Sequence, residues 1–206
     1  MLLLVSLCLH PCVHTPTQKA SSKAASPVAP TVLVPARQAT DAELLAVHTL
    51  KHVQTIDSTG KLSNLNCARL EREFNSIALN SSTALAARLA AGSLTELVLR
   101  VVETRDLASG FAVIRPPGHH CESCLAYGFC VYSNVAVAIR EVQKRQPKTK
   151  VLVVDWDVHH GNSTQHQFWH DDRVLYFSTH RYDNSTFFPC ATCADLDRVC
   201  KCELDQ

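Results

Sequence analysis

The amino-acid sequence predicts an α/β fold built on a parallel sheet. Three short apolar runs, at residues 111–114, 151–154 and 174–177, do not alternate with polar residues, which is typical of strands buried on both faces. Segments with helical spacing lie between them, at residues 131–143 and 163–169. Because strands that alternate with helices are joined by crossovers, we expect helices to cover both faces of the sheet.

Two helices are predicted before the first of these strands. Thr40 and Glu43 have the spacing of a capping box, so a helix should begin after Thr40 and continue to about residue 56. Residues 82–104 are dense in Ala and Leu at helical spacing, which predicts a long buried helix.

The composition fits one globular domain without a strong charge. The chain has 206 residues and is 46% hydrophobic, which is enough for a core. Its 20 Lys and Arg nearly balance 19 Asp and Glu, so we expect neither direct nucleic-acid binding nor membrane binding. The 10 Cys form no spaced disulfide framework, and the motifs rich in the 11 His favour a reduced compartment with a metal site over a secreted disulfide protein.

The first residues are not predicted to belong to the fold. The apolar run at residues 2–9 is too short to span a bilayer and lacks the basic leader and cleavage site of a signal peptide. Residues 11–36 are rich in Pro, Ser, Ala and Thr, and they predict a disordered lead-in. We expect order to begin near Pro35.

Polar residues suited to catalysis follow each predicted strand. These segments are RPPGHH from residue 115, DWDVHHGN from residue 155 and STHRYD from residue 178. Ligands of open parallel sheets bind at the carboxyl ends of the strands. We therefore expect the three segments to form one crevice.

Asp157 and His159 are candidate metal ligands. Side chains at positions i and i+2 of an extended chain point the same way, so a carboxylate oxygen and an imidazole nitrogen can bind one ion. Asp with His is typical of a catalytic Zn²⁺ site, since a structural site would be closed by thiolates. The alternative is a capped strand end with a surface histidine pair, but Asp155, His160 and a second double-histidine segment favour a metal.

His119 and His120 predict general acid–base chemistry, because imidazole titrates near neutral pH and the preceding prolines and glycine give a stiff, tight loop. Each ring needs a partner on its far nitrogen, and Asp155 and Asn162 are the candidates. A charged partner raises the pKa of an imidazole, so the two histidines can differ in protonation state at one pH. The alternative is an ordinary pair of histidines on a surface loop.

Aromatic residues near these segments suggest an apolar channel. Phe129 follows Gly128 after the double-histidine loop, and Phe187 and Phe188 follow the third strand. Phe187 is interpreted as a core residue. Narrow apolar walls leading to a metal would favour a long, uncharged chain that carries the reacting group.

Four motifs, in this order and spacing, resemble the zinc-dependent histone deacetylase family: RPPGHH, GFCVYSNVAVA, VLVVDWDVHHGNSTQ and VLYFSTHRYDNSTFFP. Upstream, PARQATDAELLAVH and EFNSIALNSSTALAARLAAGSL extend the similarity to about Pro35. The sequences of these segments are most similar to class II, and within it to the class IIb type that includes the tubulin deacetylase.

This resemblance implies a partial arginase/deacetylase-type parallel sheet flanked by helices. It also implies hydrolysis of N-acetyl-lysine on a histone tail or tubulin, in the cytoplasm and/or the nucleus. Asp157 and His159 would be ligands of Zn²⁺. His120 would be the general base, with His119 as its electrostatic partner steadied by Asp155. The expected catalytic group consists of His119, His120, Asp155 and Asn162.

The resemblance further implies a substrate tunnel and a second cation. Gly128, Phe129 and Phe188 would line the tunnel for the acyl-lysine. Ser76 would accept a hydrogen bond from the substrate backbone. A structural monovalent cation, normally K⁺, would be held by Asp155, Ser178 and the main-chain carbonyls of Asp157 and His159.

The sequence also departs from the family pattern. The family supplies a third zinc ligand (an Asp), a carbonyl-polarising Tyr or His and a Gly-rich loop downstream, and nothing after Pro189 resembles them. Its first strand and helix are not recognised before Pro35. Smaller departures are Asn75, where an Asp is expected, and Ser163, where a Gly usually follows Asn162.

These departures suggest a truncated or mis-spliced product, or an incomplete gene model, with three parts. Residues 1–34 are a lead-in that is disordered or outside the family, residues 35–189 are a partial catalytic domain, and residues 190–206 are a Cys-rich tail outside the family. The tail spacing also allows a small zinc knuckle, but unrelated sequence is favoured. A sheet without its later strands should be poorly stable and prone to aggregate.

Three functions stay open. The first is a lysine deacetylase, in this chain or in a complete gene product. The second is a non-catalytic fragment that binds acyl-lysine peptides or partner proteins, which the absent third ligand favours. The third is an acetylpolyamine or small-amide hydrolase, although no residue before Pro189 is a clear acidic gatekeeper.

Overall fold

The computed structural model describes residues 2–6, 32–104 and 107–190. Its strands are Leu2–Ser6 (β1), Val151–Asp155 (β2) and Val174–Ser178 (β3). They form one sheet in the order β1-β2-β3, and both neighbouring pairs are parallel. Together with the helices along the chain, this sheet confirms the predicted α/β class.

Two of the three strands lie where the sequence predicts them, and the third does not. Residues 111–114 form no strand, and Phe111 and Val113 are 76% and 70% exposed. The third strand of the sheet is β1, which lies beside β2 with Leu2 opposite Val151. An apolar run alone cannot reveal this choice, because strand pairing depends on residues that are distant in sequence.

The helices in the described residues are α1 (Asp41–Leu44), α2 (Leu50–Ser58), α3 (Asn64–Glu71), α4 (Thr83–Leu99), α5 (Asn134–Arg145) and α6 (Asn162–Phe168). Short 3-10 turns lie at Thr59–Lys61 and Asp183–Ser185, and α4 continues into a π-helical turn at Arg100–Thr104. The predicted long helix and the helices on either side of β2 are confirmed. None of the helices in the described ranges is long and apolar enough to cross a membrane.

The helix predicted from Thr40 to about residue 56 is divided in two. The Thr40 hydroxyl accepts the Glu43 N–H, and the Glu43 carboxylate accepts the Thr40 N–H, so the capping box is present. Thr49 then caps α2, because its hydroxyl accepts the His52 N–H at 3.2 Å. A second capping residue inside the periodic stretch therefore ends one helix and starts the next.

The core lies between these helices and one face of the sheet. Several alanines of α4 and α5 are buried, which lets the two helices approach closely; they are Ala87, Ala90, Ala91, Ala136 and Ala138. Larger apolar side chains from α1, α2, α5 and β2 complete the core, and they include Leu44, Ile56, Val137, Ile139, Val151 and Val153. This layer fixes the position of β2, and hence of the loop that follows it.

The other face of the sheet is open in the described structure. Leu175 and Phe177 of β3 are 65% and 53% exposed, and Leu152 and Val154 of β2 lie beside them in register. For the described residues, the prediction that helices cover both faces is wrong. The reason is that the helices of the core pack on the face of the sheet that carries Val151 and Val153.

Candidate active site

β2 and β3 end side by side, and the loops that follow carry many of the candidate residues. Asp155 ends β2 opposite Ser178, the last residue of β3. The Thr179 N–H donates to the Asp155 carbonyl at 3.1 Å, and the Arg181 N–H donates to the Val158 carbonyl at 2.9 Å. These bonds hold the two loops together at the edge where parallel sheets bind ligands.

His119 is held by a buried carboxylate. Its Nδ1 lies 2.9 Å from Oδ2 of Asp155, and because a carboxylate only accepts, Nδ1 carries the hydrogen. The other carboxylate oxygen accepts the Asp157 N–H at 3.1 Å, and the Tyr176 hydroxyl donates to Oδ2 at 3.4 Å. Gly161 leaves room for this group, since a Cβ there would lie 2.5 Å from Oδ2. Asp155 is thus fixed on every side by donors.

His120 is held by a neutral amide instead. Its Nδ1 lies 2.8 Å from Oδ1 of Asn162. Burial and, to a smaller extent, the charge of the neighbouring His119 together lower the pKa of His120 to about 3. The two imidazoles, with ring centroids 4.0 Å apart, therefore have partners of different charge.

Asp157 and His159 converge on one point. Oδ1 of Asp157 lies 3.0 Å from Nδ1 of His159, close to the spacing of about 3.3 Å between two ligands of one tetrahedral zinc. Burial alone would raise the pKa of Asp157, but hydrogen bonds from His159 and the charges of nearby imidazoles outweigh it, and the pKa is lowered. In the part of the chain that the structure describes, no third His, Cys, Asp or Glu joins them at ligand spacing.

An aromatic wall stands beside the histidines. The Phe188 ring meets His120 edge-on with centroids 5.0 Å apart, and it stacks on Tyr127 at 4.8 Å. Gly128 has a φ of 54°, and a Cβ there would lie 2.6 Å from His120 and 2.8 Å from Phe188. A glycine is needed here for both reasons. The next residue, Phe129, is 48% exposed.

Phe187 is not a core residue, so its interpretation from the sequence is wrong. Its ring stacks on His159 with centroids 5.0 Å apart, and the Arg181 guanidinium lies 4.5 Å from the ring centroid. The ring is only half-buried. The loop after β3 returns over the candidate site, and this brings Phe187 to the metal pair.

Ser76 and Ser178 occupy different edges of the site. The Ser76 carbonyl accepts the Phe129 N–H at 2.8 Å, and its exposed hydroxyl donates to Oδ1 of Asn75 at 3.0 Å. Ser76 therefore lies at the outer rim, next to the aromatic wall. Ser178 lies beside Asp155, and its hydroxyl is 2.8 Å from Nδ1 of His180.

A second cluster, formed by His48, His52 and Cys121, was not predicted from the sequence. Their ligand atoms lie within 4.8 Å of one another, and all three side chains are buried. Both ring nitrogens of His48 meet main-chain groups, while His52 Nε2 and Cys121 Sγ lie 2.9 and 3.0 Å from the Val131 carbonyl. Since these atoms already have partners, the cluster is a network that anchors the start of α2 to the double-histidine loop.

Two further residues touch the catalytic group and were missed. The Tyr176 hydroxyl accepts the Gly161 N–H at 3.1 Å and donates to Asp155, and burial raises the pKa of this tyrosine. The Glu122 carboxylate accepts from the Asn162 amide. The period of two in β3 could have placed Tyr176 on the same face as Ser178, but Glu122 gives no such signal.

A parallel α/β sheet that carries a buried histidine pair and an Asp–His pair at one edge is typical of a metal-dependent hydrolase. The family model described as "Histone deacetylase domain" matches residues 11–199, and the chain belongs to this family. The match is wider than residues 35–189, whose boundaries stay a prediction.

The relatives are histone deacetylases of the class II, HDA1 type. Histone deacetylase 18 of Arabidopsis thaliana is 43% identical over 172 residues, which cover 82% of this chain and 25% of that protein. Histone deacetylase clr3 of Schizosaccharomyces pombe is 46% identical over 158 residues, covering 76% and 23%. Histone deacetylase HDA1 of Saccharomyces cerevisiae is 42% identical over 158 residues, covering 76% and 22%. The class II assignment is confirmed, while the finer class IIb resemblance stays a prediction.

A solved structure agrees with the fold. The crystal structure of the HDA15 HD domain superposes with a TM-score of 0.67 at 41% identity, covering 77% of this chain and 42% of that chain. This confirms the deacetylase-type α/β fold. The chain spans about a quarter of the length of the curated relatives it matches.

Proposed function

We propose that this site hydrolyses N-acetyl-lysine in proteins to lysine and acetate. The observation that carries the proposal is the buried histidine pair, with one charged and one neutral partner, beside the Asp157–His159 pair. The names of the relatives suggest histones as substrates, and the class IIb resemblance suggests tubulin. We propose a location in the cytoplasm and/or the nucleus, with no direct nucleic-acid or membrane binding.

Asp157 and His159 are the proposed zinc ligands, in a family that is zinc-dependent in general. One carboxylate oxygen and one imidazole nitrogen, 3.0 Å apart, fit the donor set of a catalytic zinc site. The lowered pKa of Asp157 supports this role, because the ionised carboxylate is the form that binds metal. When bound, Zn²⁺ would supply Lewis-acid polarisation of the amide carbonyl.

His120 is the proposed general base. When its Nδ1 donates to Asn162, the lone pair is on Nε2, and the lowered pKa keeps the ring neutral near pH 7. Nε2 takes a proton from water as the water oxygen bonds to the carbonyl carbon. That proton passes to the lysine nitrogen as the C–N bond breaks. His119, paired with the Asp155 carboxylate, is the proposed electrostatic partner.

The aromatic wall is the proposed channel for the acyl-lysine side chain. Phe188 and Gly128 both lie against His120, and the adjoining Phe129 is half-exposed at the surface, which suits an aliphatic stem with one reacting end. Ser76 is proposed to accept a hydrogen bond from the substrate backbone. Its hydroxyl hydrogen is directed at Asn75, so its oxygen lone pairs stay open to a donor.

A structural K⁺ is proposed beside Asp155. Ser178 lies opposite this residue, and the carbonyls of Asp157 and His159 follow in the same loop. Oxygen ligands of this kind suit hard cations. The expected result is a higher unfolding temperature in KCl than in choline chloride at equal concentration. Equal temperatures in the two salts would contradict the site.

A second function, binding of acyl-lysine without hydrolysis, is favoured by one observation. Within the described ranges, Asp157 and His159 are not joined by a third ligand. Such a site would keep the aromatic channel while lacking a tightly held zinc ion.

One set of measurements separates these functions. We expect an acetylated peptide to release free lysine in a zinc-dependent reaction that His120→Ala abolishes. The exposed His170→Ala is the control and should leave the rate unchanged. Peptide binding without turnover would support the second function. If neither binding nor turnover occurs, both proposals fail.

A further inference from the structure

The two active-site histidines differ in how strictly their partners determine which ring nitrogen carries the hydrogen. The Asp155 carboxylate presents only acceptors, so His119 must carry its hydrogen on Nδ1. The Asn162 amide presents an oxygen on one side and an NH₂ on the other. If the amide were flipped, its NH₂ would face Nδ1 of His120, and the imidazole hydrogen would move to Nε2. The state of His120 therefore depends on what orients Asn162.

The orientation of the Asn162 amide is determined by the groups around its NH₂. Nδ2 faces two acceptors, the Glu122 carboxylate and the main-chain carbonyl of His120, which lies 3.4 Å away. A turned amide would place its oxygen against both of them, and acceptors in contact repel one another. The largely buried carboxylate makes the stronger of the two contacts, because its hydrogen bond is shorter and charge-assisted.

Glu122 is itself firmly placed. The same carboxylate oxygen lies 2.9 Å from Nδ1 of His166, one helical turn beyond Asn162 in α6. The Glu122 N–H donates to the Leu125 carbonyl at 3.0 Å, and its own carbonyl lies 3.1 Å from Nδ1 of His48. The buried network around His48 thus holds Glu122 against the start of α6.

We propose that Glu122 is a positioning residue that fixes the Asn162 amide and thereby keeps the hydrogen of His120 on Nδ1. The inference rests on the proposed function only for the role of His120 as base. The tautomer itself is a property of this chain, and it can be measured without any turnover.

The experiment uses the chain labelled with ¹⁵N-histidine, and imidazole ¹⁵N shifts report which ring nitrogen carries the hydrogen. The His120 signals are assigned by their loss in His120→Gln. Glu122→Gln keeps the shape but lets either end of the amide face Asn162, so we expect a mixture of tautomers. Glu122→Gln combined with Asn162→Asp exchanges the carboxylate and the amide, and it should restore the Nδ1–H form. His166→Gln keeps a side-chain NH₂ that can donate to Glu122, so it should leave the tautomer of His120 unchanged.

Turnover of an acetyl-lysine peptide gives a second readout. Glu122→Gln should lower kcat by about tenfold or more with little change in KM, and the exchanged pair should recover most of the loss. An unchanged His120 tautomer in folded Glu122→Gln would overturn the proposal, as would failure of the exchanged pair to restore it. Should Glu122→Gln not fold, the exchanged pair must still fold with hydrogen on Nδ1. Tautomer changes as expected without turnover in any variant would support the positioning role and defeat the deacetylase proposal.

Discussion

The imidazole of His119 and the carboxylate of Asp155 lie 2.9 Å apart, and the two side chains are 2% and 0% exposed. A carboxylate buried this completely is stable only where donors surround it. The His119 ring, the Asp157 N–H and the Tyr176 hydroxyl supply them. Asp155 therefore couples the double-histidine loop to the loop that carries the metal pair.

Changing Asp155 to Asn should break this coupling. The amide has nearly the same shape, but its NH₂ must face either His119 or the Asp157 N–H, both of which donate. We expect kcat for acetyl-lysine hydrolysis to fall by about a hundredfold. Asp172→Asn makes the same change of charge at an exposed position and should leave kcat unchanged. An equal loss in both variants, by steady-state kinetics, would contradict a specific role for Asp155.

Gly128→Ala should destabilise the aromatic wall. The new Cβ would meet His120 and Phe188 at 2.6 and 2.8 Å, at a φ of 54° that L-residues rarely adopt. Left-handed strain and overpacking together predict a loss of about 2–4 kcal/mol in the free energy of unfolding, measured by urea denaturation.

Gly60→Ala is the matched control for this change. The nearest atom to a Cβ at Gly60 lies 3.9 Å away, and this glycine has no positive φ. Its free energy of unfolding should therefore change by less than about 1 kcal/mol. Equal losses in the two variants would show that the contacts with His120 and Phe188 are not the cause.

Local signals in the sequence are enough to predict much of this structure. Thr40 and Glu43 lie three residues apart, so their capping box can be read directly. The strands that end at Asp155 and at Ser178 can also be predicted from their own apolar runs. Each of these features depends on neighbours in the chain, which a pattern can show.

Features that depend on distant residues could not be predicted. Residues 111–114 and Leu2–Ser6 are similar apolar runs, and only pairing with β2 distinguishes them. Phe187 looks like a core residue until the loop after β3 is seen to return over His159. Glu122 acts across 40 positions of sequence, on an amide whose orientation no motif records. In the candidate site, residue types were readable from the sequence, but the contacts that orient them were not.

The stability of the chain should fall as the pH drops below about 6.5. Burial, together with the charge of the neighbouring His52, lowers the pKa of His48 to about 3. The unfolded chain therefore binds a proton that the folded chain excludes, so acid favours unfolding. Each such histidine contributes up to about 1.4 kcal/mol per pH unit below its unfolded pKa.

Urea denaturation at about pH 7.5 and about pH 5 tests this dependence, because these values lie on either side of the ordinary histidine pKa of about 6.5. His48→Gln should reduce the dependence on pH, whereas the exposed His170→Gln should not. A free energy of unfolding that does not change with pH would show that the buried histidines are not neutral in the folded chain.

The open face of the sheet should make this chain prone to aggregate. Leu175 and Phe177 of the outer strand β3 are 65% and 53% exposed and adjoin Leu152 and Val154 of β2, so the four side chains form a continuous apolar surface across the two strands. Changing both exposed residues to Thr keeps β-propensity and removes the apolar surface. We expect this variant to show a larger monomer fraction in gel filtration and less light scattering on heating.

The control for that variant is Leu65→Thr, because Leu65 is 64% exposed but lies on helix α3, away from the sheet. An isolated exposed leucine is ordinary on a protein surface, so its removal should leave aggregation unchanged. If exposure of the sheet face is the cause, only the double variant improves solubility, and the gain grows with protein concentration because association is bimolecular. A wild-type chain that elutes as a monomer and unfolds cooperatively without scattering would contradict the prediction, since the same apolar surface would then carry no tendency to associate.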